Sequence, residues 1–112
     1  MSNHSIVIPV QDLAAATAFY TTAFGVEPHT DTPYYVGFNH GGQEIGLNPN
    51  GHVGGMAGSV VFWNVDAVAG KVAEAEAAGA SIVQAATEVG GGTTTGIVTD
   101  TDGNQLGFIT RS

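Results

Sequence analysis

The stretch DLAAATAFYTTAFG, residues 12–25, decides the fold because the chain repeats it as DAVAGKVAEAEAAG, residues 66–79. Each stretch begins with an aspartate, a residue type that caps helix N-termini, and ends with a glycine, which favours helix C-termini. Apolar residues recur at helical spacing in both. The sequence therefore predicts one helix in each half of a duplicated chain. The apolar faces predicted for the two helices hold Leu13, Ala16, Phe19, Tyr20, Ala23 and Phe24, and Val68, Val72, Ala75 and Ala78.

Extended segments surround each predicted helix in the same order. Runs rich in β-branched residues, Ser5 to Val10 and Ser59 to Val65, precede the helices and predict strands. Further strands are predicted after the helices, for example at residues 34–40, 42–47, 93–99 and 103–108. The repeated unit is strand, helix and three strands, which makes the fold class α+β with two tandem βαβββ modules. We expect one domain, residues 1–112, with module one at about 1–50, a Gly-rich connector at about 49–58 and module two at about 59–112.

Composition narrows the functional classes. The 112 residues include no cysteine, which excludes thiol catalysis and disulfide scaffolds and favours a reducing cytoplasm. The net charge is −8, with Lys71 and Arg111 as the only basic residues besides histidine. Such a field repels nucleic acid and anionic membranes and concentrates cationic small molecules. No apolar run approaches the length of a membrane span, so we expect a soluble protein.

Four segments carry a family resemblance. IPVQDLAAATAFYTTAFG, QEIGL, VDAVAGKVAEAEAAGA and DTDGNQLGF, in this order, resemble the vicinal oxygen chelate superfamily. That group includes glyoxalase I, extradiol dioxygenases, fosfomycin resistance enzymes and bleomycin resistance proteins. The likeness runs from about Ser5 to Thr110. It implies a glyoxalase-like fold in which the modules form a cupped mixed sheet around a pocket, and it implies a homodimer.

The resemblance also implies where a divalent metal is held in related enzymes. Those positions, in the first and last strands of each module, correspond here to Ser5, Gly46, Val60 and Gly107. None of these residues offers an imidazole or a carboxylate, so we expect no metal and no other cofactor. A displaced site made of His4, Glu44 and Gln105 remains an alternative. His29, His40 and His52 are expected at the surface or in ordinary hydrogen bonds.

If the four positions that the resemblance implies face the pocket, strand alternation assigns the remaining side chains to the two faces of the sheet. One face is apolar, includes Trp63, and is expected to pack under the helices. The glycines at positions 46 and 107 either enlarge the pocket or permit close packing between strands. Tyr34, Tyr35 and Phe38 are candidates for stacking on a flat or cationic ligand. The predicted ligand-binding residues are Ser5, Val7, Tyr35, Phe38, Glu44, Gly46, Asn48, Val60, Phe62, Gln105, Gly107 and Ile109.

These features favour a metal-free binding protein that sequesters a small, uncharged to cationic organic molecule in the cup of a homodimer. The alternative is a lyase or isomerase of the glyoxalase or dioxygenase type, with an offset metal site at His4 and Glu44. Glu44 is also a candidate general base without a metal. A third possibility is a protein interaction module with a filled cup.

Overall fold

The computed structural model describes residues 2–111. The chain divides into two compact units, one of which is Ser5–Ser59; the other holds residues 60–111 and residues 2–4 of the described chain. We call them module one and module two.

Module one contains one helix and four strands, and its strand order is β2-β3-β4-β1. The pairs β2/β3 and β3/β4 are antiparallel, whereas β1 and β4 are parallel. The parallel pair needs a long connection between its strands, and the helix is part of that connection. The elements are β1 (Asn3–Pro9), α1 (Leu13–Phe24), β2 (Thr30–Asp31), β3 (Val36–His40) and β4 (Gln43–Asn48).

Module two repeats this plan, with strand order β5-β8-β7-β6. The parallel pair is now β5/β8, and the antiparallel pairs are β6/β7 and β7/β8. The start of the chain joins this unit through the Asn64 N–H, which donates to the carbonyl of Ser2 at 2.8 Å. The prediction of two βαβββ modules is confirmed. The elements are β5 (Val60–Asn64), α2 (Val68–Ala77), β6 (Ser81–Gly90), β7 (Thr93–Thr99) and β8 (Gln105–Arg111).

The helix caps match the prediction in α1 and only partly in α2. The Asp12 side chain accepts a hydrogen bond from the Ala15 N–H at 3.0 Å. Gly25 ends α1 in the left-handed conformation, φ 71°. In α2, however, Ala67 is the N-cap and no side chain caps the helix, so the prediction for Asp66 is wrong. Neither α1 nor α2, the helices of residues 2–111, is long and apolar enough to cross a membrane.

Each helix packs on the face of its module that alternation predicted. Phe19 is the exception among the large side chains, because it is 64% exposed. Trp63 lies in the core of module two, as expected. In module one, Ile8, Leu13, Ala16, Tyr20, Phe24 and Val26 surround the buried cluster of Val10, Val36, Phe38, Ile45 and Leu47. In module two, Trp63, Val65, Ala75, Ala80 and Leu106 surround Val68, Val72, Val98 and Phe108.

The turn between β7 and β8 is organised by one carboxylate. Asp100 Oδ1 accepts backbone N–H groups of Asp102 at 2.8 Å and Asn104 at 2.9 Å. The Asn104 amide also donates to Oδ2 at 3.2 Å. The backbone N–H of Asn104, followed by that of Asp102, lowers the pKa of the Asp100 carboxyl by stabilising its charged form.

The difference between the two helix starts gives a stability prediction. We expect Asp12→Ala to lower the free energy of unfolding by about 0.5–2 kcal/mol, because it removes the only side-chain cap of α1. The matched Asp66→Ala change should have an effect within about 0.5 kcal/mol. Urea denaturation followed by circular dichroism measures both. Equal losses for the two variants would contradict the assignment of the caps.

Candidate functional site

The face of module one that lies away from α1 is built on the β3–β4 pair. Gly37 and Gly46 stand directly opposite each other in this antiparallel pair. The residues that precede and follow these glycines along β3 and β4 point to the opposite face, into the core under α1. Phe38 is one of these. It is 0% exposed, and its ring packs edge-on against that of Phe24, with 5.8 Å between the ring centroids. Its assignment to the ligand-binding set is therefore wrong.

The ring of Tyr35 covers Gly46. A Cβ atom placed on Gly46 has its three nearest neighbours in the Tyr35 side chain, including Cζ at 2.6 Å. The space that the missing side chain leaves is therefore filled by an aromatic ring. Of the two interpretations of this glycine, close packing is the one that the structure supports, and the roomier pocket is wrong at this position.

Glu44 lies on the same face and binds three further side chains into one network. The Tyr35 hydroxyl donates to Oε2 at 2.6 Å. Oε1 lies 2.7 Å from His29 Nε2, and His29 Nδ1 lies 2.7 Å from Thr30 Oγ1. We call Glu44, Tyr35, His29 and Thr30 the Glu44 network. The side chain of Glu44 is 26% exposed and that of His29 is 45% exposed, so solvent and solutes still reach the carboxylate.

Module one, in which the network lies, contains no lysine or arginine. Among the described residues of this module, His29 is the one partner of Glu44 that can carry a positive charge. Lys71 lies 3.8 Å from Glu74, and an Arg111 guanidinium nitrogen lies 3.4 Å from His4 Nε2, both within module two. Glu44 is thus a fixed, partly exposed carboxylate that can accept further hydrogen bonds from a bound molecule.

Sequence reasoning missed the part that His29 plays in this network. His29 precedes β2, and its backbone N–H donates to the Gly37 carbonyl at 2.9 Å. This bond places the His29 imidazole beside Glu44, which is 15 residues further along the chain. The contact between His29 and Glu44 depends on the pairing of β2 with β3. Because β2 has only two residues, it is too short for the sequence to show the alternation that predicts a strand. Glu44, by contrast, follows from strand alternation once the resemblance assigns Gly46 to the pocket face.

Module two repeats the arrangement of ring over glycine. Phe62 pairs with Gly107 across β5 and β8, and a Cβ on Gly107 would lie 2.7 Å from Phe62 Cε1. Phe62 is 6% exposed and Ile109 is 7% exposed. Burial of such a ring stabilises the fold by about 1.5–3 kcal/mol. Val60 is 0% exposed, so its assignment as a ligand contact is wrong: no surface of it is accessible.

The other predicted binding residues keep different degrees of access. Ser5 is only 4% exposed. Val7 is half-buried and pairs with Gly46 across β1 and β4. Asn48 is half-buried and accepts the backbone N–H two residues further on at 2.8 Å. Gln105 is half-buried at the start of β8, opposite Thr99.

The residues at the implied metal positions do not fit a divalent ion. Two of the four are glycines covered by aromatic rings, and the other two are a serine and a fully buried valine. None provides a nitrogen or carboxylate ligand. We therefore derive no chemistry through a metal at these positions.

The displaced set of His4, Glu44 and Gln105 is divided between the modules, with Glu44 in module one and His4 and Gln105 in module two. Both oxygens of Glu44 already accept hydrogen bonds within its network, and His4 faces the Arg111 guanidinium. Within residues 2–111, no three side chains of histidine, cysteine, aspartate or glutamate lie close enough together to hold an ion.

The covered glycine of module two gives a second stability prediction. We expect Gly107→Ala to destabilise the protein by about 1–3 kcal/mol, because the added methyl group overlaps the buried Phe62 ring. Gly58→Ala is the control, since a Cβ there has nothing within 4 Å. Urea denaturation at neutral pH compares the two. A Gly107→Ala protein as stable as the control would show that the ring does not hold this position.

Comparison with known proteins agrees with this architecture. The family model of the Glyoxalase/Bleomycin resistance protein/Dioxygenase superfamily matches residues 3–108. No curated protein matches the chain.

Solved structures share the fold at low sequence identity. A Legionella pneumophila protein described as NAD-dependent benzaldehyde dehydrogenase has a TM-score of 0.77 at 20% identity, covering 96% of this chain and 97% of its own. A superfamily member from Vibrio splendidus has a TM-score of 0.66 at 16% identity, with 95% and 96% covered. A single-substitution variant of Streptomyces coelicolor methylmalonyl-CoA epimerase, in complex with 2-nitronate-propionyl-CoA, has a TM-score of 0.68 at 14% identity, with 100% and 96% covered. The resemblance found in the sequence is confirmed, and the chain belongs to the Glyoxalase/Bleomycin resistance protein/Dioxygenase superfamily.

Proposed function

We propose that this chain is a metal-free binding protein for a small organic molecule, and that the Glu44 network is the point at which module one contacts it. The observation that carries the proposal is the Tyr35 ring, which fills the position of the implied metal ligand at Gly46 and donates to Glu44. In place of an ion, this face offers an oriented carboxylate beside an aromatic ring. Both groups recognise organic ligands through hydrogen bonds and ring contacts.

The negative charge of Glu44 and of the whole chain favours a cationic ligand over a neutral or anionic one. The carboxylate of Glu44 is held by two short hydrogen bonds, and module one has no lysine or arginine to neutralise it. The chain as a whole carries a net charge of −8, which raises the local concentration of cations. A ligand with a protonated amine therefore gains from both the local contact and the long-range field.

The assembly and the compartment belong to the same proposal. We propose that two copies act as a homodimer, because the resemblance to small members of the family implies it. We also propose a cytoplasmic location, because a chain without cysteine suits a reducing compartment.

A second function is favoured by one specific contact. The 2.7 Å contact of His29 Nε2 with Glu44 Oε1 pairs an imidazole with a carboxylate, and such a pair can accept and return a proton. A metal-free lyase or isomerase would use Glu44 as its general base. The two functions differ in catalytic turnover. Under the enzyme alternative, proton exchange at the carbon next to a carbonyl proceeds in the wild type and stops in Glu44→Gln, whereas a binding protein catalyses none.

Three probes with the same ring and different charges test the binding proposal: benzylamine, benzyl alcohol and benzoate. We expect benzylamine to bind most tightly and benzoate least, as measured by NMR titration of ¹⁵N-labelled protein, with shifts in residues 29–46. Glu44→Gln should weaken benzylamine about tenfold, because it removes a partly desolvated charge contact.

The matched control for this experiment is Glu27→Gln. Glu27 is an exposed acid of the same module, so the change removes the same charge while leaving the Glu44 network intact. It should alter benzylamine affinity less than about twofold. Equal losses in the two glutamine variants, or tighter binding of benzoate than of benzylamine, would contradict the proposal.

Metal addition tests the other half of the proposal. We expect excess Ni²⁺, Zn²⁺ or Mn²⁺ to leave the melting temperature unchanged, because an ion stabilises a protein only when it binds the folded state preferentially. Elemental analysis after dialysis should then find no stoichiometric metal. One ion retained per chain would overturn the assignment of a metal-free function.

A further inference from the structure

Gly37 lies at the centre of the strands that carry the Glu44 network. It pairs with Gly46 of β4 on one side and with Thr30 of β2 on the other. Its carbonyl also accepts the His29 backbone N–H at 2.9 Å. Gly37 therefore lies between Thr30 of β2 and Gly46 of β4 in the sheet.

Three members of the network occupy the space that a side chain at position 37 would need. A Cβ atom built there would lie 2.8 Å from Glu44 Oε2, 2.9 Å from His29 Cε1 and 2.9 Å from Tyr35 Cε2. Contacts below 3.0 Å are essentially never observed for real Cβ atoms, so even alanine would force these groups to move. At Gly46, the three nearest atoms all belong to Tyr35.

Backbone conformation does not explain the glycine at this position. Gly37 is absent from the glycines with positive φ among the described residues, so its backbone is one that other residues adopt. Its neighbours Val36 and Phe38 are fully buried strand residues. What position 37 requires is free space, and only glycine leaves that space.

We propose that Gly37 is a positioning residue. Together with Gly46 it forms a patch of backbone without side chains, against which the side chains of Glu44, His29 and Tyr35 pack. This packing fixes the direction of the Glu44 carboxylate. This inference concerns the protein without ligand, so it goes beyond the proposed function and does not depend on it.

The first test uses NMR of the side chains in the ligand-free protein. We expect Gly37→Ala to shift the ring signals of both His29 and Tyr35 and the carboxyl signal of Glu44. Gly46→Ala should shift the Tyr35 ring and, through the hydrogen bond of its hydroxyl, the Glu44 carboxyl, with a smaller effect on the His29 ring. Gly58→Ala should shift none of these signals. Unchanged His29 and Glu44 signals in a folded Gly37→Ala protein would overturn the proposal.

The second test separates positioning from general destabilisation, and this arm rests on the proposed function. Gly37→Ala should weaken benzylamine binding about fivefold, and the same change in a Glu44→Gln background should weaken it less than about twofold, because the two residues act through one contact. Equal losses in both backgrounds would indicate a merely structural role and overturn the proposal. If the wild type binds no benzylamine, the proposed function fails and the NMR test alone decides the role of Gly37.

Should Gly37→Ala fail to fold, a variant that also carries Tyr35→Ala, His29→Ala and Glu44→Ala decides the question. These changes take away all three overlapping groups, so this combined variant should recover folded protein. A combined variant that remains unfolded would count against the assignment, because the overlap with the network would then not be the cause of the loss.

Discussion

The contact between the Tyr35 ring and the bare backbone of Gly46 is the constraint on which the site of module one depends. The ring can lie there only because position 46 has no side chain. From that place its hydroxyl reaches Glu44 Oε2. The carboxylate then extends its second oxygen to His29, which is tied to Gly37 through the backbone. Small residues at two paired positions thus allow three large polar side chains to meet.

Module two solves the same packing problem with a different chemical result. Phe62 covers Gly107 as Tyr35 covers Gly46, but the phenylalanine ring has no hydroxyl group. Phe62 is buried and contributes hydrophobic stability, whereas the Tyr35 ring supports a hydrogen-bonded network. The duplicated fold therefore carries polar chemistry on the Gly46 side and plain packing on the Gly107 side.

Family membership and site chemistry are separate conclusions in this protein. The fold matches relatives that include a methylmalonyl-CoA epimerase, yet at 14% identity the likeness extends only to the fold. The positions at which the family resemblance implies a metal hold a serine, a valine and two glycines here, and none of them has an imidazole or a carboxylate. On the side of Gly46, this chain has a carboxylate network beside an aromatic ring instead.

Local patterns in the sequence were enough to determine the modules. Helical spacing with Asp12 and Gly25 at its ends predicted α1, and alternation placed Glu44 and Trp63 on their correct faces. These signals are local, since each depends on residues within a few positions of one another. Capping by Asp66 was predicted by the same logic and failed, because α2 begins one residue later.

Only the tertiary structure decided what fills the spaces at Gly46 and Gly107 and which groups meet at Glu44. His29 and Glu44 are 15 residues apart and come together through the pairing of β2, β3 and β4. Phe38 was assigned to the ligand because it is aromatic, yet its place in the alternation puts it under α1. Sequence periodicity predicts on which face of the sheet a side chain lies. Which side chain fills the space above a glycine depends on segments that are distant in sequence and come into contact only in the folded chain.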